Sequence, residues 1–363
     1  MKTHQPDYAI ILTVFFLLVF GMVILSTASV VLSQDIFGEN YYFLKHQLFY
    51  GLPLGLIAFF ICQRIDYRYW QKLAFPLLVF SLFLLALVFI PEIGYGKVRR
   101  WIVFGFLSFQ PFELVKLTLI LYLSALLGKK GDDLRVIKQS LIPVFIVIGI
   151  ISLIVILQPN MSALIMTAMI AGIIYFLAGL KISYLLGLVG LALVSFFVLI
   201  KVVPYRMNRF IVFFNPEVNP QGIGYQINQA LLAIGSGGLF GLGLGHSIQK
   251  WKYLPEPMGD SIFAITAEEL GLLGAGVLVI AFIILAWRGL KIAKNAPNKF
   301  SYLLAGGITG WLFFQAFINM ASISRLIPLT GIPLPFISYG GSALAIALAG
   351  VGILVNISKH TKI

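Results

Sequence analysis

The sequence predicts an all-α polytopic membrane protein. It has ten transmembrane helices, N- and C-termini in the cytoplasm, and a large outer loop between helices 7 and 8. Three observations predict this. The 363 residues are 60% hydrophobic and only 11% charged, where a soluble globular chain carries roughly a quarter charged residues. Window after window of eighteen or more residues is almost free of charge, the length needed to cross a hydrocarbon core of about 30 Å. Three short connections between windows are basic, and all three fall on the same side.

The spans fall at roughly 8–32, 43–62, 73–90, 111–128, 140–157, 161–180, 184–203, 261–287, 301–322 and 340–357. The first apolar run, Tyr8 to Leu32, is too long for a cleaved signal peptide and reads as a retained span. The connections QRIDYRYWQK, GKKGDDLRVIKQ and RGLKIAKNAPNK lie on the side of the N-terminus. By the positive-inside rule that side is the cytoplasm, and an even number of spans returns the C-terminus to it. No soluble domain interrupts the pattern, so residues 1–363 form one membrane domain. Two outer stretches are unusual: PEIGYGKVRRWIVFGFLSFQP before span four, and the long loop at about 203–260. Loops of that length are commonly functional.

The net charge of +13 fits membrane topology and contact with anionic membrane lipid. RNP, zinc-finger and helix-turn-helix patterns are absent, so no nucleic-acid partner is expected. Cys62 is the only cysteine, which excludes disulfides within the chain and cysteine metal clusters. His4, His46, His246 and His360 show no ligand spacing.

Charge is costly at the lip of a membrane segment and marks candidate function there. Glu256, Asp260, Glu268 and Glu269 crowd one such boundary, in YLPEPMGDSIFAITAEELG. Asp260 reads in two compatible ways: as the N-cap of span eight, and as a general base at the lipid–water boundary. Partial desolvation there raises a carboxyl's pKa toward the working range. Glu268 lies eight residues on, about 12 Å deeper at the helical rise. For it and Glu269 an internal ion pair locking span eight to a neighbour is the plainer reading. A proton relay is the sharper one, and Glu268 is kept among the substrate-facing candidates.

FQPFELVKL opens span four, where Pro111 suits a first turn and Glu113 complements the helix dipole. Glu113 and Lys116 can pair at a spacing of three, and Lys116 is also placed to meet a phosphate. Arg99, Arg100, Arg206, Arg209, Lys250 and Lys252 are outer-loop cations. Such groups are usually solvated, yet guanidinium groups bind diphosphate through paired hydrogen bonds. IGSGGLFGLGLG is not a phosphate loop, since it lacks the GK[ST] ending, and its glycines suit tight turns or close backbone approach. TGIPLPFISYGGS is a shaped outer loop that walls a cavity, because such backbone needs protein or water around it.

The segments RRWIVFGFLSFQPFELVKL, FNPEVNPQGIGYQ, AIGSGGLFGLGLG, KYLPEPMGDSIFAITAEELG and PLTGIPLPFISYGGS occur in an order and spacing that resemble the SEDS proteins (shape, elongation, division and sporulation), the group of FtsW, RodA and SpoVE. GLGHSIQKWKYLPEP is more similar to the FtsW branch. The resemblance implies a ten-helix peptidoglycan glycosyltransferase of the bacterial cytoplasmic membrane. It would polymerise lipid II, an undecaprenyl-diphosphate-linked disaccharide peptide, at the outer face for cell division or shape. It carries the family's essential acidic residue onto Asp260, its span-four pair onto Glu113 and Lys116, and its loop arginine onto Arg100. Arg99, Lys252 and Glu268 join these as expected substrate contacts. The implied partners are a class B penicillin-binding protein and other division or elongation proteins. A divalent cation, Mg or Mn, would suit the diphosphate, although no ligand set is evident. The chain departs from the family at Met258 and Gly259, where relatives commonly carry His-Thr. It departs again at Gln158, Pro159, Asn160, Met161 and Ser162, where they often carry Gln-Pro-Asp-x-Gly-Thr. The alternatives are a lipid II flippase and a non-catalytic divisome scaffold.

Overall fold

The computed structural model describes residues 4–90, 94–95, 99–104, 107–128, 141–179, 212–215 and 222–361. The expected seventh span and most of the loop that follows it, with Arg206 and Arg209, lie outside the described residues.

The described elements are α1 (Tyr8–Ala28), α2 (Val30–Phe37), α3 (Tyr42–Arg64), α4 (Tyr67–Leu87), β1 (Gly94–Tyr95), β2 (Trp101–Phe104), β3 (Leu107–Phe109), α5 (Pro111–Gly128), α6 (Leu141–Leu157), α7 (Met161–Leu177), α8 (Ile223–Ser236), α9 (Ile262–Lys294), α10 (Lys299–Ile323) and α11 (Gly341–Ser358). Seven helices among the described residues are long and apolar enough to cross a membrane: α1, α3, α4, α5, α9, α10 and α11. Two shorter apolar helices, α6 and α7, stand where the fifth and sixth spans are expected.

The helices sort into two classes by burial. In α5, α10 and α11, 78%, 72% and 78% of the apolar window is buried inside the protein, against 22% in α3 and α4. The first three form the centre. The others turn rows such as Leu12, Phe15, Val19 and Val23 of α1 outward. An apolar exterior on this scale belongs in lipid rather than water. Close packing at the centre depends on small residues: a Cβ at Gly352 of α11 would sit 2.5 Å from the Phe59 carbonyl of α3.

Several element ends differ from expectation. α4 begins at Tyr67 rather than near 73, because the Asp66 side chain accepts from the Arg68 amide (2.9 Å) and starts the helix in the interfacial segment YRYWQK. α9 runs on through Arg288, Lys291 and Lys294, cations that complement the negative end of the helix dipole. The outer stretch before α5 adds a small antiparallel sheet, β1-β2-β3, to a chain expected to be all helix. Ile102 faces both Gly94 and Phe109 in its register, and the apolar, β-branched run WIVF suits a pleated surface better than a helix turn.

Both termini meet at one end of the bundle. Asp7 caps α1 through the Ala9 and Ile10 amides and also binds the Arg288 guanidinium of α9, at 2.6 Å for the shortest contact. The Asp7 amide donates to Ser358 Oγ of α11 (3.0 Å) and the His4 amide to the Lys359 carbonyl (2.8 Å). Asn356 of α11 accepts from the Tyr67 amide (2.9 Å) and donates to the Gln63 carbonyl (2.8 Å). Asn298 donates to the Tyr67 hydroxyl (3.0 Å). The connections α3–α4 and α9–α10 therefore share this end with both termini. Asp260, at the far end of α9, lies at the other.

Candidate active site

The opening of α9 shapes the site. The helix is broken at Gly271, with φ 66° and ψ −166°. The two hydrogen bonds lost at the break are replaced by the 238–243 loop. The Leu242 and Gly243 amides donate to the Glu268 and Glu269 carbonyls (2.9 and 3.0 Å). In return the Leu272 and Leu273 amides donate to the Gly238 and Leu239 carbonyls (2.9 and 3.2 Å). Glycine is required on both sides: a Cβ at Gly241 would lie 2.2 Å from the Glu269 carbonyl oxygen, and one at Gly271 only 2.4 Å from the Gly241 nitrogen. The Gly-rich motif is therefore a backbone splice into a broken helix, in line with the close approach expected from its sequence.

The two glutamates beside the break are fully buried. Glu269 pairs with Lys250 Nζ (3.2 Å), itself buried, and accepts from Thr27 Oγ1 of α1 (2.7 Å). This matches the expected internal ion pair, with the lysine coming from the outer loop. Glu268 has a different partner set: it accepts from Ser247 Oγ (2.5 Å) and from the Ile248 and Gln249 amides (2.9 and 3.3 Å). Its buried carboxylate holds a loop turn together.

Asp260 is half-buried on the turn that leads into α9. The N-cap position belongs to Ser261, so the expected capping role for Asp260 is corrected by one residue. Ser261 is engaged instead with its own turn, donating to the Pro255 carbonyl (2.9 Å) and accepting from Gln226 Nε2 of α8 (3.1 Å). That occupies the side chain which would otherwise cap the helix. Three successive carbonyls of the turn accept from outside it. Met258 accepts from the Tyr339 amide (2.9 Å), Gly259 from Ser338 Oγ (2.8 Å) and Asp260 from Asn319 Nδ2 (2.8 Å).

Beneath the turn, Glu113 and Lys116 of α5 form a buried pair at 2.7 Å. Lys116 also donates to Gln315 Oε1 of α10 (3.0 Å), which accepts from Trp311 Nε1 as well (2.7 Å). Gln315 Nε2 passes the contact to the Pro333 carbonyl (3.0 Å). Glu113, Trp311, Gln315, Pro333, Leu334 and Ser338 are among the residues that line a cavity of about 10 Å³. The TGIPLPFISYGGS loop does wall a cavity, but one sized for about one water molecule.

The remaining cations have identified partners of their own. Arg100 donates to the Gln158 and Pro159 carbonyls, closing the α6–α7 turn. In that same departing segment Asn160 caps α7 and Ser162 donates to the Thr330 carbonyl. Arg99 is exposed and donates to the Phe89 carbonyl (2.8 Å). Lys252, with its side chain 70% exposed, pairs with Asp35 at the end of α2 (2.8 Å). Among the described residues no three His, Cys, Asp or Glu side chains converge as metal ligands.

Sequence reasoning passed over Gln315, Asn319 and Ser338. Its missed signal was in α10, where Trp311, Gln315 and Asn319 recur every four residues in an apolar helix and so share one face. Polar side chains within a membrane span are seldom there without a partner.

The family model described as "Cell cycle protein", of FtsW, RodA and SpoVE, matches residues 8–363. The chain belongs to this family. Among its relatives, stage V sporulation protein E of Bacillus subtilis is 38% identical over 99% of both chains. The probable peptidoglycan glycosyltransferase FtsW of Geobacter sulfurreducens is 40% identical, over 99% of this chain and 97% of that one. Of solved structures, a chain from work on structural coordination of polymerization and crosslinking by a peptidoglycan synthase complex superposes with a TM-score of 0.80. It is 29% identical over 98% of both chains. The rod shape determining protein RodA of Thermus thermophilus superposes at 0.71, with 28% identity over 98% of this chain and 97% of that one. The FtsW/RodA/SpoVE fold thus extends over essentially the whole chain, and the Asp260 turn lies within the matched region.

Proposed function

We propose that this chain is a peptidoglycan glycosyltransferase that polymerises lipid II into glycan strands at the outer face of the cytoplasmic membrane, for cell division or shape. The observation that carries this reading is whole-length family membership, with relatives of that name about 40% identical over 99% of the chain. Asp260 is the general base. It takes the proton from the acceptor sugar's 4-hydroxyl as that oxygen bonds to the donor's anomeric carbon. The bond from that carbon to the polyprenyl diphosphate breaks, and the diphosphate leaves with the electron pair. Direct displacement inverts the anomeric centre. A diphosphate leaves readily, so one carboxylate suffices where glycosidases use two. The half-buried position of Asp260 on a turn held by hydrogen bonds to its main-chain carbonyls supports this assignment. Arg99, Arg100 and Lys252 are the cations from which diphosphate stabilisation is drawn, while Lys116, expected to join them, is buried in its pair with Glu113.

Ten spans with both termini cytoplasmic belong to the same proposal. It is supported by the shared end of the termini and the basic connections α3–α4 and α9–α10. A class B penicillin-binding protein and other division or elongation proteins are the proposed partners, in keeping with the likeness to a chain of a peptidoglycan synthase complex.

The test is a polymerisation assay on purified lipid II with the proposed partner present. Wild type lengthens glycan chains and Asp260→Asn does not. Full activity of the variant overturns the assignment. The same protein in vesicles separates a flippase, which moves labelled lipid II across the bilayer without chain growth.

A further inference from the structure

We propose that Asn319 is a positioning residue for the reaction, holding the Asp260 turn and the 330–340 loop in one fixed relation through its two amide hydrogens. The inference rests on the assignment of Asp260 as the base.

A side chain's direction is set by the two peptide planes that flank its Cα. Both planes at Asp260 are pinned from outside the turn. The preceding plane is held at the Gly259 carbonyl by Ser338 Oγ (2.8 Å), and the following plane at the Asp260 carbonyl by Asn319 Nδ2 (2.8 Å). Together these hold φ and ψ of Asp260, and with them the line along which its carboxylate leaves the backbone. One residue earlier, the Tyr339 amide holds the Met258 carbonyl (2.9 Å). Glycine at 259 makes this fixing matter, since it gives the turn more conformational freedom than any other residue would.

Asn319 does more than hold one plane. The same Nδ2 donates to the Ile332 carbonyl (2.7 Å), so one buried amide group bridges the acidic turn and the loop that supplies Ser338 and Tyr339. One turn earlier on α10, Gln315 holds the next loop carbonyl, Pro333, and also receives Lys116. Asn319 is thus the point where the Asp260 turn joins the buried Glu113–Lys116 network. A catalytic group displaced by about 1 Å can lose on the order of 100-fold in rate while binding is kept.

The experiment compares wild type, Asn319→Leu, Asn319→Ser and Asp260→Asn in lipid II polymerisation, with kcat and KM measured separately and the thermal midpoint of each protein recorded. Leucine keeps the branched heavy-atom skeleton and removes both hydrogens, while serine offers one short donor that cannot span the two carbonyls. The expected result is a fall in kcat of about 10–100-fold for both Asn319 variants, with KM within about threefold of wild type. If the leucine variant does not fold, the serine variant decides the matter alone. Wild-type kcat in a folded Asn319 variant overturns the proposal, as does a loss that only follows the fraction unfolded. If Asp260→Asn polymerises as wild type does, the underlying base assignment has failed instead.

Discussion

Asp260 and the pair Glu268–Glu269 lie within nine residues of each other at the same end of α9, yet they are built for different work. Each glutamate is fully buried, and its identified partners are inside the protein: a lysine and a threonine for Glu269, a serine and two amides for Glu268. Asp260 is half-buried, and the turn that carries it is held through main-chain carbonyls. The difference teaches that a carboxylate near a membrane boundary is not functional by composition alone. When the protein's donors converge on the carboxylate itself, it is a clamp. Around Asp260 the identified donors hold the backbone of its turn, which fixes the direction in which the side chain leaves it.

The sharpest way to break this contrast is to remove each charge in turn. Asp260→Asn is expected to lower polymerisation about 10²–10⁴-fold, the range for loss of a general base, with little change in thermal midpoint. Glu269→Gln should do the reverse at the level of folding. It strands the buried Lys250 cation and should cost about 3–5 kcal/mol of stability, read from thermal or denaturant unfolding in detergent. Adding Lys250→Met to that variant should recover most of the loss, because no unpaired buried charge remains. An Asp260→Asn protein as unstable as Glu269→Gln would erase the distinction.

Surface pairs extend the contrast to its weak end. Lys252→Ala breaks an exposed pair with Asp35 and should change stability by no more than about 1 kcal/mol. A raised KM for lipid II at constant kcat in that variant would mark Lys252 as a diphosphate contact.

The smallest expected effect is at the opposite end of the molecule. Burial, aided by nearby Arg68 and Lys359 and opposed by Asp66, holds the His360 imidazole below its ordinary 6.5. Its Nδ1 is buried without a hydrogen-bond partner. The native state therefore binds fewer protons here than the unfolded chain. The stabilisation is complete above about pH 6.5 and is lost as pH falls through the lowered native value. The thermal midpoint should drop on acidification from about pH 7.5 to about pH 5.5, and drop less in His360→Gln.

Much of this organisation is legible along the chain. Apolar length located the described helices to within a few residues at most ends, because hydrocarbon thickness constrains each span by itself. Asp260 stands out for a similar reason: a charge where a polar loop enters an apolar helix is visible without knowing its neighbours. The break at Gly271 is not visible in this way. Its replacement hydrogen bonds come from residues 238–243, some thirty positions away. Asn319 and Ser338 also escaped notice, since each acts on a carbonyl 59 and 79 residues distant.

By itself, then, the sequence determined that the chain lives in a membrane, where most of its described helices run, and which acid stands where a polar loop enters an apolar helix. Each of these follows from transfer energies that depend on local composition. Only the tertiary structure decided that Glu268 and Glu269 are consumed as clamps, that Arg100 closes a helix turn, and that Asn319 aims the acidic turn. Those roles depend on which donor meets which acceptor across the bundle, and a hydrogen bond between distant residues leaves no mark on either local segment.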